Sequence, residues 1–158
     1  MSSEQNERIV RRFYEALNVN DRAKIDHIIA EYVAPDVIVH DPVLGDMVGV
    51  QGYHRIVHTY LQAFPQQQII VDKIIVDGDT AAVLHTHIGK NTGPFMGIAP
   101  TGKQVKFEGL EMIRLIDGKV VEFWRHDDDA GLMRQLGPIF AMKFAWRMFF
   151  GKQPGGQR

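Results

Sequence analysis

Two periodicities divide the chain. Over the first 64 residues, apolar positions recur every three or four: Ile9, Val10, Phe13, Leu17; then Ile25, Ile28, Ile29, Tyr32; then Tyr53, Ile56, Val57, Tyr60, Leu61, Phe64. That spacing lines one face of a helix and predicts three of them. Ser2 and Gln5 fit a capping box for the first, Asp21 opens the second, and the third starts near Gly52. Ala34-Pro35 stops the second helix and Pro65 ends the third, since a proline pushes the residue before it out of the helical region. Between them, Asp36 to His40 reads as a short strand closed by Asp41-Pro42.

From residue 68 the period becomes two. Gln68–Val76 and Thr80–Gly89 flank Asp77-Gly78, and Val105–Ile116 and Val120–Asp127 flank Asp117-Gly118. Alternating segments around an Asp-Gly pair predict two β-hairpins. The loop between them, Lys90–Lys103, is rich in Gly and Pro and carries Phe95, Met96 and Ile98. Three helices packed on a curved antiparallel sheet is an α+β layout. Residues 1–137 are expected to form this domain, and 138–158 a C-terminal helix and tail belonging to it. The stretch GPIFAMKFAWRMFF is apolar nearly all round, which favours packing over the domain or on a second subunit rather than lying on a membrane. GKQPGGQR reads as a flexible end.

Alternation on the last two strands separates their faces. Val105, Phe107, Ile113 and Leu115 are odd-numbered, as are Val121 and Phe123, so the odd side is expected to face the core. That side then also carries Glu111, Arg125 and Asp127, while Leu110, Met112, Trp124 and His126 point outward. A two-residue Asp-Gly turn alone would pair Glu111 with Trp124 and break this parity. A three-residue loop with a bulge pairs odd with odd and is the expected arrangement, because it keeps one face apolar. An unpaired buried charge costs several kcal/mol, on the order of the cost of breaking a buried ion pair, so the inward face must enclose polar partners or a solvated cavity. The outward apolar residues suggest a homodimer through the outer sheet face.

Composition narrows the class. The 158 residues are 45% hydrophobic and contain no cysteine, which removes disulfides and thiolate metal sites. Residues 1–129 carry a net −6 and residues 130–158 a net +5, but the basic end is too short and apolar to read as a nucleic-acid surface. No apolar run approaches the ~20 residues of a membrane span, and the polar N-terminus MSSEQNERIVRR lacks a signal-peptide core, so a cytoplasmic protein is expected. His85 and His87 share a strand face and His54 and His58 lie one helical turn apart. Neither pair comes with a carboxylate at a recognised motif spacing, so no metal is expected.

FMGIAPTGKQVKFEG, and after it IRLIDGKVVEFWRHDDDAGLMRQLG, resemble the SnoaL-like polyketide cyclases, or ester cyclases, of the nuclear-transport-factor-two-like superfamily. The likeness extends upstream through His40-Asp41-Pro42, Ala63-Phe64-Pro65 and Gly78-Asp79, so it spans about residues 5–137. It implies a cone-shaped sheet around a deep pocket, with no metal and no organic cofactor. It also implies an intramolecular aldol closure driven by a His-x-Asp pair on the last strand. Here that pair falls on Phe123 and Arg125, and the neighbouring strand's polar pair on Gly109 and Glu111. An arginine does not exchange protons near neutral pH, so the family's chemistry does not transfer unchanged.

Glu111, Arg125 and Asp127 are therefore the catalytic candidates. The two carboxylates would move protons and the guanidinium would hold a substrate oxygen. Phe123, His40, Tyr14, Tyr60, Phe64 and Phe95 are the expected substrate-binding residues, for a small hydrophobic, oxygen-bearing molecule. Arg125-x-Asp127 also resembles the carboxylate–arginine–carboxylate set of limonene-epoxide-hydrolase-like proteins, which implies epoxide hydrolysis. The remaining alternatives are a non-catalytic small-molecule-binding protein and a Glu111–Arg125 ion pair that merely seals the pocket floor. Asp128 and Asp129 read as the start of a helix.

Overall fold

A computed structural model of the chain describes residues 2–150; the tail 151–158 lies outside the described residues. Three helices come first: α1 (Ser3–Leu17), α2 (Arg22–Tyr32) and, after strands β1 (Val33–His40) and β2 (Met47–Val48), α3 (Val50–Ala63). The capping box forms as the sequence predicts. Ser2 Oγ accepts from the Gln5 amide at 3.2 Å and Gln5 Oε1 accepts from the Ser2 amide at 2.8 Å. Asp21 caps α2 through the Lys24 amide.

Two hairpins follow, β3 (Gln68–Asp77) with β4 (Thr80–Lys90) and β5 (Gln104–Ile116) with β6 (Lys119–Asp127), then α4 (Asp129–Leu136) and α5 (Pro138–Phe150). The architecture is α+β. The six strands form one open sheet in the order β2-β1-β6-β5-β4-β3, antiparallel throughout except between β1 and β6. That parallel pair departs from the all-antiparallel expectation. No tight turn joins β1 to β6, so hairpin geometry does not dictate its direction. β1 also starts earlier than expected, at Val33, with Pro35 inside it. The β1–β6 register slips between Val33 and Ile38, where a residue without an N–H can be tolerated.

The β5–β6 turn fixes which side chains face inward. Asp117 (φ 50°) and Gly118 (φ 79°) make a two-residue turn joining Ile116 to Lys119, not the three-residue loop expected. A bulge between Arg114 and Leu115 on one strand and Val120 and Glu122 on the other shifts the register, so Glu111 lies opposite Arg125 and Ile113 opposite Phe123. Odd pairs with odd from Gly109 to Ile113, but on the turn side of the bulge Leu115 pairs with Val120, so Val120 is buried in place of the expected Val121. The odd face carries the core: Phe123, Ile113, Phe107, Val105 and Val83 pack under Phe13, Tyr53 and Tyr60 of α1 and α3.

The 91–103 loop is tied to the end of α3 through Asn91. Its amide nitrogen donates to the carbonyls of Ala63 and Gly93, and its oxygen accepts from Thr101. This sets Phe95 against Tyr60, Phe64 and, on α5, Phe140. Around Phe140, α5 leaves Ile139, Met142, Trp146, Phe149 and Phe150 exposed. Among the described residues no helix is long and apolar enough to cross a membrane.

Candidate active site

Three strands bring one polar row together. Register pairs His85 on β4 with Gly109 on β5, and Gly109 with Asp127 on β6. A side chain at the middle position would separate the outer two. A Cβ added at Gly109 would lie 2.2 Å from Asp127 Oδ1 and 2.4 Å from His85 Cε1. With glycine there, His85 Nε2 sits 3.8 Å from Asp127 Oδ1, both side chains 5% exposed. Asp127 Oδ1 and His85 Nδ1 are buried without a hydrogen-bond partner among the described residues. Such groups are rare in folded proteins, and one in a cleft invites a functional explanation.

Arg125 fixes the other side of Asp127. Its Nη1 donates to Asp127 Oδ2 at 2.6 Å and to the Tyr60 hydroxyl at 2.9 Å; its Nε donates to Asp41 Oδ2 at 2.7 Å; its Nη2 donates to Asp129 Oδ2 at 2.9 Å. Each guanidinium nitrogen is thus engaged, and the side chain is 3% exposed. Burial works against the charged form of Arg125, but Tyr60 and the three aspartates outweigh it and hold the guanidinium protonated. Three carboxylates share this one cation. Burial therefore lifts Asp129 above the ordinary aspartate range despite the pull of Arg125, with Asp127 and Asp41 adding to the rise.

Glu111 does not pair with Arg125. It accepts a hydrogen bond from the Tyr14 hydroxyl of α1 instead. Burial, then the nearby Asp127 charge, push its pKa well above the usual glutamate value, with Arg125 pulling weakly the other way. It therefore keeps its proton to a higher pH than an ordinary glutamate does. His85 is shifted the other way: burial lowers its pKa more than Asp127 raises it, so the imidazole is neutral. His87 is held at about 3 by burial, with its Nε2 2.9 Å from Gln67 Oε1. The site thus juxtaposes a carboxyl and an imidazole whose burial favours their neutral forms with a carboxylate anchored by Arg125. His85, Glu111 and Asp127 also offer ligand atoms within 4.8 Å of one another, although the burial that favours a protonated Glu111 works against the deprotonated ligand a cation needs.

The cavity beside these groups is about 50 Å³, bounded by α1, α3 and the odd face of the sheet. It holds little more than a water, far less than the ~300–1,000 Å³ of a ligand pocket. Of the expected binding residues, Tyr14, Tyr60 and Phe123 line it, with Tyr53, Ile56 and His85. Phe64 and Phe95 pack instead in the aromatic core beneath the 91–103 loop. His40 lies on the opposite face. It pairs with Trp124 in the β1–β6 register, stacks on that ring with centroids 5.2 Å apart, and approaches Asp46 and Glu122.

Sequence reasoning missed three members of the site. Asp41 was read only as a strand terminator. It does cap the turn, accepting from the amides of Val43 and Leu44, but its other oxygen meets Arg125. Asp129 was read with Asp128 as a helix start. Asp128 does cap α4 through the Gly131 amide, while Asp129 turns back to Arg125. In the sequence His85 shows only that it shares a strand face with His87; without the β4–β5 register nothing links it to Asp127 across Gly109.

Known proteins share this layout. AclR from Streptomyces galilaeus superposes with a TM-score of 0.74 at 27% identity, covering 85% of this chain and 97% of that one. IdmH from Streptomyces antibioticus gives 0.72 at 29%, covering 85% and 99%. In sequence, the aklanonic acid methyl ester cyclase DnrD of Streptomyces peucetius is 27% identical over 143 residues, 88% of this chain and 95% of that protein. The model describing SnoaL-like polyketide cyclases matches residues 8–136. With that match over most of its length and the same α+β architecture, the chain belongs to the SnoaL-like polyketide cyclase family.

Proposed function

We propose that the protein is an acid–base enzyme needing no cofactor, which closes a ring in an ester-activated polyketide or a smaller 1,3-dicarbonyl compound. One observation carries the reading. Asp127 has one oxygen clamped by Arg125 and the other buried, unpartnered, and 3.8 Å from His85 Nε2. Asp127 Oδ1 removes a proton from the carbon between two carbonyl groups, and the enolate carbon attacks a ketone carbonyl of the same molecule. Glu111, a neutral acid beside Tyr14, gives its proton to the alkoxide that forms. A C–H bond and the π bond of the attacked ketone break, C–C and O–H bonds form, and the product is an isomer of the substrate. The protons return to their starting sites through His85 and solvent. Arg125 has its donors engaged, so it positions Asp127 rather than binding substrate oxygen. The family's His-x-Asp is thereby replaced by a histidine and an aspartate from different strands.

The small cavity requires that α1 and α3, which carry Tyr14, Ile56, Val57 and Tyr60, draw apart to admit any substrate of polyketide size. A second reading, epoxide hydrolysis, is favoured by the Asp127–Arg125–Asp41 alignment, with Arg125 within 2.7 Å of both carboxylates. A cavity the size of a water suits it: Asp127 would activate water and Glu111 would protonate the epoxide oxygen. Supplying aklanonic acid methyl ester, simple β-keto esters and terpene epoxides side by side separates the two. Ring-closed isomers support the first reading, and diols labelled from ¹⁸O-water support the second. Binding of any of these without turnover would leave the non-catalytic alternative. The outer-face row formed by Ile75, Met112 and Trp124, with Leu110 beside it, supports a homodimer through the sheet.

A further inference from the structure

We propose that Asp26, His54 and His58 bind one divalent transition-metal ion of the zinc class at the seam between α2 and α3, outside the pocket. His54 and His58 lie one turn apart on α3, their rings stacked with centroids 5.5 Å apart and planes at 10°. Asp26 reaches across from α2 to both. Its Oδ1 is 3.0 Å from His54 Nδ1 and 2.7 Å from His58 Nε2, and those two nitrogens are 3.4 Å from each other. Ligands around one ion adopt such spacings. Bonds of ~2.0–2.1 Å separate neighbouring ligand atoms by about 2.9 Å at a right angle and about 3.4 Å at the tetrahedral angle.

Two imidazoles and a carboxylate are the donors that zinc, cobalt and nickel take, whereas calcium and magnesium favour oxygen alone. Asp26 is 43% exposed along its side chain, so solvent can fill the remaining coordination positions. At 100° per residue the two histidines sit about a third of a turn from Tyr53, Ile56, Val57 and Tyr60, which face the pocket. The ion therefore takes no part in the reaction and clamps α2 to the helix that forms one pocket wall. His58 Nδ1 is buried with no acceptor among the described residues. Ligating histidines usually donate that N–H, and losing such support costs ~10–100-fold in affinity, so micromolar binding is expected.

The test is calorimetric titration of zinc chloride into the metal-stripped full chain, with thermal melting alongside. Wild type should take up one equivalent and melt higher with zinc. His54→Gln and His58→Gln should each weaken binding more than the ~10–100-fold of an outer-shell loss and abolish the rise in Tm. Asp26→Asn, nearly isosteric and on the surface, gives the same reading if a histidine variant misfolds. His85→Asn should bind as wild type does. No uptake at about 100 µM zinc, where a micromolar site is nearly saturated, overturns the proposal. So does undiminished binding by the His54, His58 and Asp26 variants, or loss of binding in His85→Asn, which would put the ion in the pocket.

Discussion

Replacing Glu111 by Gln separates a proton-carrying glutamate from one that merely pairs with Arg125. Burial and Asp127 raise the folded-state pKa of Glu111 above its unfolded value. Between those two values the unfolded chain gives up the proton while the folded protein keeps it. Stability therefore falls as pH rises through this window, by up to about 1.4 kcal/mol per pH unit for a single group. Its favourable contribution is fully present only below the ordinary glutamate value of 4.5. Above that value wild type loses stability that Glu111→Gln does not lose, for as long as the folded protein holds the proton. The amide oxygen can still accept from Tyr14, so the packing around it is preserved. Urea unfolding of both proteins from pH 4.5 to 7.5 should show near-equal stability at the acid end and a growing advantage for Glu111→Gln above it. An ion-paired glutamate has the opposite sign, with a depressed pKa and stability gained as pH rises. If Glu111→Gln were the less stable protein, by a margin widening with pH, the assignment of Glu111 as a neutral acid would be wrong.

Three further outcomes follow from the geometry. Gly109→Ala sets a methyl 2.2 Å from Asp127 Oδ1, so one side chain must retreat by about 1 Å; overpacking costs about 1–3 kcal/mol, offset by up to about 1 kcal/mol from reduced unfolded-chain freedom. Its turnover should fall at least tenfold while chemical unfolding shows that modest loss, and unchanged turnover would remove His85–Asp127 from the chemistry. Arg125→Met leaves the Asp41, Asp127 and Asp129 carboxylates without their cation and should cost about 3–5 kcal/mol by urea unfolding at pH 7; a cost below about 1 kcal/mol would contradict the network. Met112→Glu puts a charge in the outer-face row and should yield monomers in sedimentation velocity if the sheet face joins two copies.

The helices and both hairpins were legible because each rests on local signals: a 3.6-residue period, caps, and Asp-Gly turns. Parity was legible from Phe123 onward, since a register error there would have exposed Phe123 and buried Trp124, but not at Val121, where the bulge turns Val120 inward instead. What could not be read was how β1 joins the sheet, because a parallel neighbour distant in sequence leaves no local trace. The same gap hid Asp41, which reaches Arg125 only once β1 lies beside β6. It also put His40 in the pocket, when pairing with Trp124 turns it outward. Gly109 was read as the loss of a polar residue, yet its bare Cα is what lets β4 and β6 bring a histidine and an aspartate together. Asp129 deceived for a different reason, since a helix-start aspartate and an arginine partner need the same residue at the same place.

Hydrogen–deuterium exchange at the activated methylene of a β-keto ester, followed by NMR in deuterated buffer, tests the central claim most directly. The wild type should exchange that position faster than buffer alone, and Asp127→Asn should fall to the buffer rate. Glu111→Gln should retain exchange yet fail to close the ring on a cyclisable ester. Exchange by Asp127→Asn at the wild-type rate would contradict the account.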